Sequence, residues 1–149
     1  MPERMSAEEL AAWRGFLQAH ARLVRELDEE LRAVHGLPLS SYDVLTTLES
    51  SPDRRLRMRE LADAVLLSRS GLTRLVDRLV REGHVVREEC ADDARGAFAV
   101  LTDTGLAALR EARPTHHDGV RRRFLSRLEP GEAPRLGATW DRIKGSEST

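Results

Sequence analysis

A long apolar stripe near the N-terminus constrains the fold of this chain most strongly. Its members recur at alternating steps of three and four residues: Leu10, Trp13, Leu17, His20, Val24, Leu27, Leu31 and Val34. This spacing predicts one face of a single long helix. Ser6 and Glu9 form a capping box at its start, and His35-Gly36-Leu37-Pro38 ends it. Such a stripe needs a partner surface, and a second copy of the chain is one candidate.

Three shorter helical patterns follow the stripe. Ser40 or Ser41 is expected to cap a second helix, whose buried residues are Val44, Leu45 and Leu48. A third short helix is predicted over residues 57–65. Ser68 caps the fourth, whose core face is Leu72, Leu75, Val76 and Leu79, and Gly83 ends it.

The hydrophobic period then changes from helical to strand-like. Residues 84–88 and 97–101 predict two strands joined by a long polar loop. Thr102 is expected to cap another helix, which Pro114 kinks or interrupts before the pattern resumes through Val120, Phe124, Leu125 and Leu128. A last short helix is suggested by Leu136, Trp140 and Ile143.

Composition excludes several classes of protein. The 149 residues fit one domain, and a content of 40% hydrophobic and 33% charged residues is typical of a globular protein. No stretch of the sequence is long and apolar enough to predict a membrane-spanning helix. The single cysteine, Cys90, excludes a disulfide framework and a multi-cysteine zinc site. The N-terminus has no signal pattern. We therefore expect a cytoplasmic protein without cofactor or metal.

Enzyme signatures are missing from the sequence, which has no phosphate-cradling glycine loop, nucleophile elbow or metalloprotease pair. The net charge of −1 argues weakly against a nucleic-acid binder, but residues 68–81 carry four arginines and one acid, a local charge of +3. Two short helices joined by a tight turn, followed by a hairpin, predict a mainly α-helical winged helix-turn-helix fold.

The fourth helix is the candidate DNA reader. Its N-terminal end offers free backbone N–H groups and the positive end of the helix dipole, both of which favour phosphate. The predicted DNA-binding residues on it are Ser68, Arg69, Ser70, Thr73, Arg74 and Arg78. The alternative is a solvated helix face, on which Asp77 pairs with Arg74 or Arg81 at helical spacing.

The hairpin loop contributes a second predicted contact. Arg95 at its tip suits the negative potential of a DNA minor groove. A neighbouring aspartate can hold its guanidinium through a bidentate pair. Asp93 is the proposed partner, and Asp92 is equally possible.

These motifs resemble the MarR family of bacterial transcriptional regulators. The resemblance rests on Leu61-Ala62, on the run from Ser68 to Leu79, on the run from Glu82 to Arg87, and on a wing with Asp93-Ala94-Arg95 followed by Leu101-Thr102 and Gly105. It implies a winged helix-turn-helix with long N- and C-terminal dimerisation helices. The sequence departs from the family pattern at Ala94, Ala99 and Pro134.

The resemblance also implies a domain plan and partners. One domain spans residues 1–149, with dimerisation helices at 6–35 and 103–143, a DNA-binding lobe at 40–101 and a tail at 145–149. The homodimer would bind a pseudo-palindromic double-stranded operator with half-sites ~10 bp apart. The expected interface residues are Leu10, Trp13, Leu17, Val120, Phe124, Leu136 and Trp140. The basic run Arg121-Arg122-Arg123 would pair with acids of the partner or face solvent.

A repressor released by a small molecule is the function that the resemblance implies. Urate-responsive members use a tryptophan, an aspartate and lobe arginines, so the predicted site for a small anionic or aromatic effector is Trp13, Asp43, Arg74 (or Arg78) and Arg87. Alternatively, Trp13 belongs to the core or the dimer interface.

Two other functions stay open at this point. One is a winged-helix protein-interaction module that docks through the N-terminal stripe, and the other is a transcriptional activator. Salt dependence separates DNA binding from the first, because contacts between arginine and phosphate weaken steeply as salt rises.

Overall fold

A winged helix-turn-helix unit lies between two long flanking helices in the computed structural model, which describes residues 3–65, 67–89 and 96–145. This confirms the predicted fold class. The elements in chain order are α1 (Ala7–His35), α2 (Leu39–Glu49), β1 (Arg55–Arg57), α3 (Met58–Val65), α4 (Arg69–Arg81), β2 (Val85–Glu89), β3 (Ala97–Leu101), α5 (Asp103–Arg123) and α6 (Glu132–Lys144). No helix in the described ranges is long and apolar enough to cross a membrane.

Helix α1 begins and ends where the sequence predicts. Ser6 Oγ accepts from the Glu9 N–H while the Glu9 carboxylate accepts from the Ser6 N–H, which completes the capping box. Gly36 ends the helix in the left-handed conformation, with φ of 64°, which a glycine adopts without steric cost. Only Leu31 of its 29 residues is buried. The stripe is therefore mostly uncovered in one protomer.

Helix α2 starts earlier than the serines suggest. It begins at Leu39, and neither Ser40 nor Ser41 caps it, so that expectation is wrong. The carboxylate of Asp28 on α1 accepts from the Leu39 N–H at 2.9 Å and satisfies the free donor in place of a local cap. Ser41 is instead fully buried within the helix.

The predicted hairpin is part of a three-stranded sheet. Strand β3 lies in the middle, antiparallel to β2 on one side and to β1 on the other. Because Arg57 pairs with Phe98 in β1, the third helix begins at Met58 and not at residue 57. Leu56 packs against the core and pairs with Ala99, which is fully buried.

The core of the lobe gathers the inward faces of α2 to α5 and of the hairpin. It is built mainly from Val44, Leu45, Leu48, Leu61, Leu72, Val76, Leu79, Val85, Ala99, Leu106 and Leu109. Leu72, Val76 and Leu79 confirm the predicted core face of the fourth helix, and Leu75 is half-buried against the same cluster. The opposite face of α4 is consequently held toward solvent.

Of the two effects expected at Pro114, a kink or an interruption of helix α5, the interruption does not occur. The helix runs through Pro114 without interruption and ends at Arg123, where Phe124 leaves helical geometry. Ala112 before the proline and Gly119 after it are both buried, so the helix is packed on either side of Pro114. Residues 103–143 are thus two helices separated by a short 3-10 turn at Leu125–Arg127.

Pro134 does not break the last helix. It stands at the third position of α6, in the first turn, where a backbone N–H has no partner within the helix. The departure from the family pattern therefore costs α6 little.

A close backbone contact joins the end of α4 to the start of α5. A Cβ added at Gly105 would lie 2.1 Å from the carbonyl oxygen of His84. Thr102 Oγ1 donates to the Gly83 carbonyl at 2.6 Å and accepts from the Gly105 N–H at 2.9 Å. Only glycine permits this approach.

Candidate nucleic-acid interface

Helix α4 presents a basic face on a well-anchored helix. Ser68 caps it as predicted, its Oγ accepting from the Gly71 N–H at 3.1 Å. Leu72, Val76 and Leu79 hold the inner face in the core. The other side leaves five of the predicted DNA-binding residues exposed: Ser68, Arg69, Ser70, Thr73 and Arg74. Side chains on this face can reach a flat partner without disturbing the core.

The hydroxyl groups of this face are already oriented. Thr73 Oγ1 donates to the Arg69 carbonyl at 2.8 Å, which leaves its oxygen lone pairs free to accept. Ser68 Oγ serves the helix cap and lies 3.4 Å from Ser70 Oγ. We therefore expect Ser68 to act mainly by fixing the helix end, while Ser70 and Thr73 face outward.

The arginines of α4 differ in whether they already form an ion pair within the protein. Among the described residues, Arg69 and Arg74 form no ion pair, whereas Arg78 Nε donates to Glu82 Oε1 at 3.0 Å. Two arginines near the N-terminal end of the helix thus keep their full donor capacity. Arg78 would have to exchange or share its bond with Glu82 to contact DNA.

Asp77 contacts the wing strand and not its own helix. Its Oδ1 lies 2.9 Å from Nη2 of Arg87 on β2, so the interpretation that it pairs with Arg74 or Arg81 is wrong. The same nitrogen of Arg87 lies 3.4 Å from the Thr73 carbonyl oxygen. Arg87 therefore bridges the first wing strand to two turns of α4. Sequence reasoning considered Arg87 only as an effector ligand and missed this bridge.

The tip of the wing lies outside the described residues. This applies to Asp92, Asp93 and Arg95, so the predicted minor-groove contact and its supporting aspartate stay predictions. Cys90 lies in the same segment. The strands on either side of it, β2 and β3, pair from Val85 with Leu101 to Glu89 with Ala97.

The four predicted effector residues lie on four different elements: Trp13 on α1, Asp43 on α2, Arg74 on α4 and Arg87 on β2. Desolvation raises the pKa of the Asp43 carboxyl, although the residue as a whole is exposed. Trp13 lies 6.1 Å from Phe16 between ring centroids, and Phe16 lies 5.5 Å from Trp140 on α6. These contacts place Trp13 in an aromatic cluster of α1 and α6, and its role toward an effector stays a prediction.

The helices outside the lobe expose much apolar surface. Trp13 is 53%, Phe16 44% and Leu17 47% exposed on α1. No residue of α6 is buried. The remaining predicted interface residues, Leu10, Val120, Phe124, Leu136 and Trp140, are half-buried. An amphipathic helix pair left this open is typical of an association surface.

Ion pairs connect α5 to α1 within one protomer. Arg122 and Arg123 both contact Glu30, and Arg123 Nε lies 3.4 Å from Glu26. These hydrogen bonds and charges hold the pKa of Glu30 below its usual value despite partial burial, and Arg22 does the same for Glu26. Arg122 and Arg123 therefore pair with acids of their own protomer, and Arg122 also stays exposed, as one of the two expectations had it. Pairing with acids of the partner subunit stays a prediction.

A second link connects α5 to the lobe. Arg113 Nη2 donates to Glu49 on α2 at 2.5 Å. His116 on α5 stacks against Tyr42 of α2 with ring centroids 4.4 Å apart. Helix α5 is thus bound both to α1 and to the lobe that carries α4.

Comparisons with known sequences point to one family. Residues 35–96 match the sequence profile of the MarR family. The chain is 30% identical to the HTH-type transcriptional regulator YkoM of Bacillus subtilis, over 83% of this chain and 75% of YkoM. It is also 30% identical to the transcriptional repressor MprA of Escherichia coli, over 74% of this chain. That match spans 62% of the length of MprA, which is less than two thirds.

Solved structures agree over nearly the whole chain. The MarR family transcriptional regulator Sco3205 of Streptomyces coelicolor, solved in complex with DNA, is 40% identical, with a TM-score of 0.89 and coverage of 99% of this chain and 94% of Sco3205. AbsC, another MarR family regulator of the same organism, is 34% identical, with a TM-score of 0.87 and 97% of each chain covered.

Proposed function

The chain belongs to the MarR family of transcriptional regulators, and we propose that it is a homodimeric, sequence-specific DNA-binding repressor that a small-molecule effector releases from its operator. Such a protein acts by binding and not by catalysis. The observation that carries the proposal is the α4 face, where exposed Arg69 and Arg74, without an ion pair in the described part of the chain, stand on a helix anchored by its buried leucines.

The α4 face suits the major groove of DNA. Arginine donates two parallel hydrogen bonds to a guanine edge, and serine and threonine adapt to any base. Arg74 stands one turn into the helix, and we assign it to base reading. Arg69 lies at the N-terminal end, where the helix dipole also attracts phosphate. The structure of Sco3205 with DNA supports the same use of this fold.

Dimerisation follows from the uncovered surface of α1 and α6. A helix of 29 residues with one buried residue gains little stability from apolar burial within its own protomer. We assign the exposed aromatic and leucine side chains of α1, together with α6, to contacts with a second copy. Two lobes held this way would read two half-sites about one helical turn, ~10 bp, apart.

Release by an effector requires that the dimer helices and the lobes move together. Helix α5 supplies this connection, because Arg122 and Arg123 bind α1 while Arg113 binds α2. An effector that binds between the two parts would favour one orientation of α5. Its differential affinity would shift the population toward lobe spacings that no longer fit adjacent grooves.

Fluorescence anisotropy with DNA from upstream of its own gene tests the reading role of α4. We expect tight binding that falls with salt and exceeds binding to a scrambled duplex. Arg74→Ala should weaken operator binding and reduce the preference over the scrambled duplex, whereas Arg110→Ala, an exposed arginine of α5, should change neither. An Arg74→Ala variant with unchanged affinity and preference would contradict the assignment.

Arg95 has a separate expected effect. As a predicted minor-groove contact, its replacement by alanine should weaken binding to operator and scrambled duplexes to a similar degree. A loss confined to the operator would indicate base reading by Arg95 instead. The repressor role itself is tested with a reporter gene fused to the operator region. Deleting the gene of this protein should raise reporter output if the protein is a repressor and lower it if the protein is an activator.

A further inference from the structure

A basic cleft opens beside the N-terminal end of α4. It has a volume of about 400 Å³, and its lining residues are Arg57, Met58, Arg59, Arg69, Leu72, Thr73, Gly96 and Ala97. Three arginines therefore line one cleft, and none of the lining residues that the structure describes is acidic. Arg69 and Thr73 belong to both the cleft and the exposed face of α4, so the two surfaces are continuous.

Strand β1 determines where Arg57 lies. Its sequence alternates, so that Leu56 packs against the core while Arg55 and Arg57 share the opposite face. The guanidinium carbons of Arg55 and Arg57 lie 4.3 and 5.5 Å from the centroid of the Phe98 ring. Stacking of this kind limits the freedom of an arginine without neutralising its charge. Arg57 is thus held in place as a cation at the wall of the cleft.

The neighbouring charges are distributed unevenly. Arg55 forms an ion pair with Glu88 on β2 at 2.9 Å, so its charge is already balanced within the sheet. Arg57, Arg59 and Arg69 form no ion pair among the described residues. Three arginines along one cleft concentrate positive charge there, so the site favours an anion that neutralises it. No sequence pattern indicates this grouping, because the three residues belong to β1, α3 and α4.

We propose that Arg57 and Arg59, together with Arg69, bind a backbone phosphate of the DNA next to the bases that α4 reads. This inference rests on the proposed function and extends the DNA-binding surface to β1 and α3. The cleft is open and continuous with the α4 face, so a phosphate on a duplex that contacts α4 has direct access to it. Arginine binds phosphate through paired N–H donors, which suits a converging set of guanidinium groups.

The salt dependence of DNA binding distinguishes a phosphate contact from base reading. Each phosphate that a protein neutralises adds ~0.9 to the slope of log affinity against log salt. A dimer that loses one phosphate contact at each half-site should therefore show a slope smaller by ~1.8. A phosphate carries no base information, so the preference for operator over scrambled DNA should be unchanged.

The test compares the double variant Arg57→Ala/Arg59→Ala with the full wild-type chain by anisotropy, in a salt series on operator and scrambled duplexes. The double lysine variant at the same positions keeps both charges and should retain most of the slope. Arg110→Ala is the matched control for the loss of an exposed arginine elsewhere. Thermal unfolding of every variant checks that Arg57 is not required for folding, and the single Arg59→Ala variant repeats the test without touching Phe98.

The outcomes separate this inference from the proposed function. A reduced slope on both duplexes, with an unchanged operator preference, supports the phosphate site. Wild-type slopes in the alanine variants overturn the inference alone, and so does a change in operator preference without a change in slope. A wild-type protein that binds neither duplex overturns the proposed function and this inference with it.

Discussion

Replacing Trp13 with alanine tests the proposed dimer at its most exposed aromatic side chain. Trp13 lies on α1 with 53% of its surface accessible, beside Phe16 and Leu17, which are 44% and 47% accessible. None of the three contributes to the buried core of the protomer. The substitution should therefore leave the fold of the protomer intact while it removes surface available to a partner.

The size of the effect follows from the exposed area. A large aromatic side chain carries ~200 Å² of surface, so about half of it, ~100 Å², is open at Trp13. If the partner covers this area, each copy contributes ~2.5 kcal/mol at ~25 cal/mol per Å². The two copies in a symmetric dimer give ~5 kcal/mol, which corresponds to a dissociation constant raised by ~10³-fold or more. This is an upper range, because buried area converts only partly into affinity.

Sedimentation velocity over a range of protein concentrations measures the dimer dissociation constant. Val86→Ala is the matched control, because Val86 is 43% exposed on the sheet, away from α1 and α6. We expect Trp13→Ala to shift the protein toward the monomer and Val86→Ala to leave the equilibrium unchanged. A Trp13→Ala dissociation constant within ~threefold of wild type, less than about 1 kcal/mol, would refute the assignment of this face to the dimer.

Contacts of α4 and α5 give three further expectations. Reversing one charge of the Arg87–Asp77 pair should weaken operator binding, and reversing both charges should restore part of the affinity in the same anisotropy assay. A double variant whose loss of affinity equals the sum of the two single losses would contradict a functional Arg87–Asp77 ion pair. Gly105→Ala should cost ~1–3 kcal/mol of unfolding free energy, because its Cβ would meet the His84 carbonyl at 2.1 Å; an unchanged thermal midpoint would argue against this close contact. Burial lowers the pKa of His116 below 6.5, with a further contribution from the neighbouring His117. Protonation of His116 therefore favours the unfolded chain, and the stability of the wild-type protein should fall as pH drops below 6.5. Urea unfolding between about pH 7 and pH 5 should show that His116→Phe loses this dependence, and parallel pH profiles would contradict it.

Local signals in the sequence were sufficient for several elements of the fold. The capping pair Ser6 and Glu9, three residues apart, defined the start of α1, and the change of period defined β3 at its observed bounds. The start of α2 could not be predicted, because its first N–H is satisfied by Asp28, 11 residues away on another helix. Strand β1 was missed because it has three residues and exists only through its pairing with β3.

The same distinction applies to the candidate site. The exposed face of α4 follows from helical periodicity alone, so Arg69 and Arg74 were predictable. The bridge from Arg87 to Asp77 joins a strand to a helix, and the basic cleft joins β1, α3 and α4. Such contacts depend on the packed arrangement of elements, for which a single sequence carries no direct signal.

The selection of bound duplexes from a random-sequence pool tests the central claim most directly, because the operator sequence does not have to be known for it. A homodimer that reads DNA through two α4 helices should enrich one motif with two inverted half-sites centred ~10 bp apart. Arg74→Ala should lose or alter the motif while the wild-type protein retains it. A bound pool whose sequences match the input, with no shared motif, would contradict a sequence-specific regulator.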